Sequence, residues 1–213
     1  MTGRRMRKAL IIANGIPPPK NLLRKVVTNA HLVLCVDGGA NIARSMGIMP
    51  DIILGDLDSI TAATRKKYAK IQTLLVEDQH STDLEKAIRY CLRHSIDSID
   101  VVAATGGRVD HMIGNLWCFK RFGKKIEMKF IDGKGEISLI KGKTRFKTRK
   151  GEKLSLIPLD RCHGITTSNL KYKLKDEVLE LGRREGISNE ATGSSASIEV
   201  KHGTLLLYRF THR

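Results

Sequence analysis

Up to about residue 132 the chain repeats one unit: a short apolar run, a polar turn rich in Gly, Asp and Asn, then a stretch with helical spacing. The apolar runs are residues 8–13, 32–36, 52–54, 71–76, 99–104 and 126–131. Runs that are apolar at successive positions suit strands covered on both faces. Strands that alternate with helices pair in parallel, because a parallel connection needs a crossover long enough to hold a helix. The clearest helix spans 83–94, with Leu84, Ala87, Ile88, Cys91 and Leu92 at helical spacing. Thr82 and Glu85, three apart, mark its start as a capping box. The expected fold of this half is a Rossmann-like, mainly parallel α/β/α sheet domain.

After Asp132-Gly133-Lys134-Gly135 the texture changes. Segments 137–140, 144–146, 153–158, 164–170, 197–200 and 204–210 are short, β-prone and separated by Gly turns, and no amphipathic helix stands out. Lys153-Leu154-Ser155-Leu156-Ile157 shows the alternation of a half-buried strand. A small all-β sandwich is expected here, which divides the chain into an α/β domain at 1–134 and a β-domain at 135–213.

The 213 residues are 41% hydrophobic, enough to fold around a core. No apolar run approaches the length needed to cross a bilayer. The basic start (Arg4, Arg5, Arg7, Lys8) leads into an apolar stretch that breaks at Asn14-Gly15, too short for a signal peptide. Cys35, Cys91, Cys118 and Cys162 form no Cys-x-x-Cys pair, so buried free thiols and a reducing cytoplasm are expected. The net charge is +16. It is uneven: residues 1–119 carry 16 basic and 11 acidic side chains, residues 120–213 carry 22 and 11. Such a surface attracts polyanions, but aromatics make up only 5% and do not interleave with the basic residues. That pattern speaks against a single-stranded nucleic-acid platform.

Ligand sites in open α/β sheets lie beyond the carboxyl ends of the strands. Four polar clusters fall there: Asp37-Gly38-Gly39-Ala40-Asn41, Gly55-Asp56-Leu57-Asp58-Ser59, Gln79-His80-Ser81-Thr82-Asp83, and Thr105-Gly106-Gly107-Arg108-Val109-Asp110-His111. Alternate residues of an extended segment point the same way, so Asp56 and Asp58 can converge. Converging carboxylates repel unless a cation lies between them. Asp56, Asp58 and Asp83 supply enough oxygens for Mg²⁺ shared with substrate phosphates. The Gly-Gly pairs let backbone N–H groups approach an anion at a helix start, Arg108 can fork onto phosphate oxygens, and Lys86 lies one turn beyond Asp83. Together these residues describe a metal–nucleotide site for phosphoryl-type transfer.

No standard nucleotide fingerprint is present. Gly142-Lys143-Thr144 resembles the tail of a P-loop, but Ile137 stands where its first glycine belongs, so the segment reads as a β-turn. The basic run 141–153 reads as a solvated strand face, and Trp117 as a core residue.

The ordered set Asp-Gly-Gly-Ala-Asn, Gly-Asp-Leu-Asp-Ser, Ser-Thr-Asp-x-x-Lys-Ala and Thr-Gly-Gly-Arg-x-Asp-His-x-x-x-Asn resembles the thiamine pyrophosphokinase family. Leu170-Lys171-Tyr172-Lys173-Leu174, Gly186-Ile187-Ser188-Asn189-Glu190 and Gly203-Thr204-Leu205-Leu206 resemble signatures of that family's C-terminal β-domain. The resemblance implies transfer of a pyrophosphoryl group from ATP to the hydroxyl of thiamine, giving thiamine diphosphate and AMP. It implies Mg²⁺ and a homodimer whose active sites are shared between subunits. Carried over, Asp56, Asp58 and Asp83 would hold the metal and, with Arg108, carry catalysis. Asp37, Gly38, Gly39, Asn41, Ser59, Lys86, Arg108, Asp110, His111 and Asn115 would line the ATP site. Gln79 and Thr82 would meet thiamine, with Ser188 and Asn189 from the partner subunit and Tyr172 stacking on the ring. A pyrophosphokinase for a pterin alcohol, or a basic nucleic-acid-binding protein on the same scaffold, are the alternatives. The pterin enzyme should lack the Ser188-Asn189 signature.

Overall fold

The computed structural model describes residues 6–76, 78 and 80–211. Two compact units divide the chain: residues up to Cys118 with Lys125–Gly133, and Phe119–Lys124 with the residues from Lys134 onward. The expected division after residue 134 places 119–124 in the first unit. Within that segment Phe119 and Phe122, in the last turn of a helix, are buried, and Lys120 pairs with Asp160 at 3.1 Å, a residue of the second unit.

The first unit runs β1 (Lys8–Ile12), α1 (Lys20–Thr28), β2 (Leu32–Val36), α2 (Gly39–Met46), β3 (Ile52–Gly55) and α3 (Ala62–Lys67). It continues with β4 (Gln72–Leu75), α4 (Asp83–Arg93), β5 (Ser98–Val102), α5 (Val109–Phe122) and β6 (Glu127–Ile131). The strands pair in parallel in the order β6-β5-β1-β2-β3-β4. Leu10, Ile11 and Ile12 are each fully buried, as expected of a central strand covered on both faces. β4 departs from that expectation: it is the outer strand on its side, and three of its four residues are exposed. α4 begins as its sequence predicts, with Thr82 Oγ1 accepting from the Glu85 N–H at 3.3 Å.

The chain order reverses at β1, whose neighbours are β2 on one side and β5 on the other. Loops leaving β1 and β2 therefore diverge from those leaving β5, which opens a crevice at the carboxyl edge.

The second unit contains β7 (Glu136–Leu139), β8 (Lys143–Lys147), β9 (Lys153–Pro158), β10 (Cys162–Ser168), β11 (Glu177–Leu179), β12 (Gly186–Glu190), β13 (Ser195–Glu199) and β14 (Leu205–Arg209). The strands form two antiparallel arrays, β12-β9-β14-β7 and β11-β10-β13-β8. Alternate residues from both, among them Leu154, Leu156, Ile198, Leu205 and Leu207, share one core, the sandwich expected from the alternation. On β8, Lys143, Arg145 and Lys147 are exposed and alternate with half-buried Thr144 and Phe146, so the basic run is a solvated strand face. β11 and β12 were not among the expected strands, because Glu177-Val178-Leu179 is short and Gly186-Ile187-Ser188-Asn189-Glu190 lacks a β-type alternation.

Candidate metal and nucleotide site

The turn after β3 carries Asp56 and Asp58 around Leu57, whose φ of 67° lies in the left-handed region. The turn is closed by its own side chains: the Asp58 N–H donates to Asp56 Oδ1 at 3.3 Å, and Ser59 Oγ donates to Asp58 Oδ1 at 2.8 Å. β2 lies beside β3, with Val36 paired to Leu54, so the next residue, Asp37, arrives alongside the turn. Its N–H donates to the Leu54 carbonyl at 2.9 Å. One carboxylate oxygen from each of Asp37, Asp56 and Asp58 comes within 4.8 Å of the others. Asp37 is only 9% exposed, and its Oδ1 is buried with no hydrogen-bond partner among the described residues. A buried acceptor left unmade costs stability, and three converging negative charges add repulsion. This donor set, all carboxylate oxygen, is that of a hard divalent cation.

The expected triad was Asp56, Asp58 and Asp83. Asp83 is instead paired with Lys86 Nζ, which donates to its Oδ1 at 2.9 Å and to the Val76 carbonyl at 2.9 Å. Asp83 does line the same crevice, a cavity of about 500 Å³ that also takes in Asp37, Ser59, Thr82, Arg108, Asp110, His111 and Asn115. Arg108 does not stand free for a phosphate: Nε and Nη2 fork onto the Asp110 carboxylate at 3.1 and 2.5 Å, with both side chains exposed. The Arg108 hydrogen bonds hold Asp110 down to a pKa of about 2. Asn115 donates to the Ala104 carbonyl at 2.9 Å and so ties α5 to the end of β5.

Asn41, expected at the nucleotide, serves the acidic turn. Its Nδ2 donates to the Ser59 carbonyl at 2.8 Å, and its Oδ1 accepts from both Thr61 N and Thr61 Oγ1 at 3.1 Å. The first Gly-Gly pair also has a packing reason. A Cβ on Gly39 would lie 2.1 Å from the Ile12 carbonyl oxygen, so only glycine lets α2 start this close to β1. The second pair, Gly106-Gly107, turns at φ 74° and 68°. Gln79 lies outside the described residues.

Asn14 and Gly15 were read from sequence only as a strand break, yet both line the crevice. Their loop continues the β1–β5 pairing, with Gly15 N donating to Ala103 O at 2.7 Å. Their position next to the reversal of strand order is the signal that would have found them.

Tyr172, Ser188 and Asn189 line a separate cavity of about 390 Å³ in the second unit. Asn189 is buried and organises it, accepting from Tyr172 N at 3.1 Å and donating to Tyr172 O at 2.8 Å. Ser188 lies where the β12–β9 register shifts, with φ 59°. Tyr172 is 59% exposed, with Lys171 Nζ 5.7 Å from its ring centroid. Trp117, expected in the core, is 58% exposed and falls on the face of α5 that also carries Val109 and Ile113.

Residues 23–131 match the family described as thiamin pyrophosphokinase, catalytic domain, and residues 140–205 match thiamin pyrophosphokinase, vitamin B1 binding domain. A thiamine pyrophosphokinase of Bacillus subtilis (strain 168) is 31% identical over 216 residues, covering 97% of this chain and 100% of the relative. Thiamine pyrophosphokinase 1 of Arabidopsis thaliana is 28% identical, covering 91% and 82%. The crystal structure of the Bacillus subtilis thiamine pyrophosphokinase superposes with a TM-score of 0.84 at 28% identity, covering 96% of this chain and 99% of that one. At 20% identity, thiamin pyrophosphokinase from Candida albicans shares the fold with a TM-score of 0.83, covering 96% and 89%.

Proposed function

The chain belongs to the thiamine pyrophosphokinase family, an enzyme that transfers the pyrophosphoryl group of ATP to thiamine, and we propose how its residues divide that work. The vitamin B1 binding domain match over 140–205 favours thiamine over a pterin alcohol as the acceptor.

The observation that carries the reading is the buried Asp37 Oδ1, without a hydrogen-bond partner among the described residues, beside Asp56 and Asp58. These three carboxylates fit Mg²⁺, and Asp83 faces the same crevice. When bound, the cation would neutralise the phosphate oxygens of ATP. The chain's residues do the rest. The crevice between the loops after β1 and β5 takes the nucleotide, bounded by Ser59, Arg108, Asp110, His111 and Asn115. Gly38 and Gly39 start α2, and Lys86 holds Asp83, which lines the crevice. The Arg108 guanidinium offsets charge that develops on the transferred group as AMP leaves. An aspartate of the cluster takes the proton from the thiamine hydroxyl as it attacks the β-phosphorus.

Gln79 and Thr82 would border thiamine on the α/β domain, residues 1–134. Tyr172, Ser188 and Asn189 would contact it from the β-domain, residues 135–213, of a partner subunit, with Tyr172 stacking on the ring. The exposed apolar stripe Val109, Ile113 and Trp117 on α5 supports a homodimer. Among the described residues no helix is long and apolar enough to cross a membrane, and a cytoplasmic location goes with four cysteines that form no disulfide among those residues.

AMP release from Mg-ATP, measured with and without thiamine, tests the reading. AMP should form only when thiamine is present. Thiamine-independent release, or none at all, would overturn it.

A further inference from the structure

We propose that Arg65 is a positioning residue that holds the acidic turn in its cation-binding shape before any cation arrives. The inference rests on the metal reading of that turn. Arg65 lies on α3, outside the four polar clusters. Its Nη2 donates to the Leu57 carbonyl, and its Nε donates to the Ile60 carbonyl at 3.2 Å. The two carbonyls bracket Asp58 and Ser59, so one rigid guanidinium staples the turn at both ends.

Two features of the turn resist its shape. Leu57 carries a Cβ in the left-handed region, where only glycine is comfortable. The carboxylates of Asp37, Asp56 and Asp58 converge and repel in the absence of a cation. Bonds within the turn are joined by others from outside it. Asn41 on α2 holds Ser59 and Thr61 from the other side. Arg44 on α2 donates to Thr64 Oγ1 at 3.0 Å, which ties α2 to α3 and sets the base from which Arg65 reaches. Arg65 spends its bonds on carbonyls rather than carboxylates, so it orders the turn while leaving the ligand oxygens available.

The test uses the full-length protein, freed of metal, as wild type, Arg65→Ala, Arg65→Lys, and Arg65→Ala combined with Leu57→Gly. Amide hydrogen exchange of the 56–61 segment reads the turn directly, and Mn²⁺ binding followed by electron paramagnetic resonance reads its consequence. In Arg65→Ala, exchange in this segment should accelerate and Mn²⁺ half-saturation rise, each by roughly tenfold or more for the loss of two bonds from a charged donor. Protection in β1 and β5 should be unchanged. Lysine keeps the charge but cannot fork, so Arg65→Lys should fall between; it also serves if the alanine variant does not fold. Leu57→Gly removes the left-handed penalty and should restore part of the Mn²⁺ affinity to Arg65→Ala, a rescue that a general loss of stability would not show. Unchanged exchange at 56–61, or Arg65→Ala binding Mn²⁺ as wild type does, would overturn the proposal. Wild type that binds no Mn²⁺ would defeat the metal reading instead, and the exchange result would still decide the role of Arg65.

Discussion

Lys86 reaches back one turn of α4 to Asp83, Nζ to Oδ1 at 2.9 Å, with its own side chain only 9% exposed. The same nitrogen donates to the Val76 carbonyl. Replacing it leaves an acid and a carbonyl short of a donor. Lys86→Met should cost about 1.5–3 kcal/mol of stability, the range for a hydrogen bond to a charged group. It should also raise KM for ATP more than KM for thiamine. Denaturant unfolding and steady-state kinetics measure the two effects.

Asp58 is exposed, and its recorded bonds stay within its own turn. Asp58→Asn should lower kcat by roughly 10²–10³, the scale of losing one electrostatic contact to a transition state. Exposed substitutions shift stability by only about 0.5 kcal/mol, so the melting temperature should hardly move. AMP release and a circular-dichroism melt check both. Wild-type turnover would remove Asp58 from the metal site.

The Arg108–Asp110 fork makes a pH prediction. Asp110 titrates at about 2 because of the Arg108 hydrogen bonds, below its ordinary 3.8. A depressed carboxylate favours the folded state above its unfolded value and loses that contribution as pH falls. The pair should therefore be intact above about pH 4, weakening as pH falls toward 2. Carbon-detected NMR of the Asp110 carboxyl should give a midpoint near 2. Arg108→Gln should return it toward the ordinary value.

Val109, Ile113 and Trp117 repeat every four residues on α5 and are 64%, 45% and 58% exposed. If this stripe is covered in the proposed homodimer, Ile113→Asp should shift the protein toward monomer without unfolding it. Sedimentation velocity across a concentration series reads the change. An unaltered distribution would place the dimer contact elsewhere.

The four cysteines are buried and form no disulfide among the described residues, and burial pushes Cys35 and Cys91 up to about 12. A thiol that stays protonated and shielded is a poor nucleophile. A disulfide reagent should label the native protein slowly and all four thiols promptly after denaturation. Fast native labelling would mean that these thiols become accessible without global unfolding.

The fold was legible wherever its cause is local. The runs at 8–13, 32–36 and 99–104 became β1, β2 and β5, and Thr82 caps α4 as its spacing to Glu85 required. Legibility failed where a residue's surroundings come from distant chain. Trp117 is as apolar as a core residue, but its place on the helix turns it toward solvent. The run at 71–76 is apolar like its companions, but β4 is an outer strand of the parallel sheet. Ser188 and Asn189 were found through their resemblance to a family signature, because the bulge that displaces them exists only once β12 meets β9.

Sequence by itself determined that acidic and glycine-rich loops would gather at one edge of a parallel sheet. Turn chemistry and hydrophobic period are properties of short segments, and parallel strands bring every such loop to the same side. Only the tertiary structure decided which carboxylates meet. β2 lies next to β3, in a register that pairs Val36 with Leu54, so Asp37 arrives beside Asp56 and Asp58. Asp83 enters from beyond the outer strand and is held by Lys86. The same packing turned Asn41 and Arg65 toward the backbone of the acidic turn, because a side chain's partner depends on the direction of its helix and not on its neighbours in sequence.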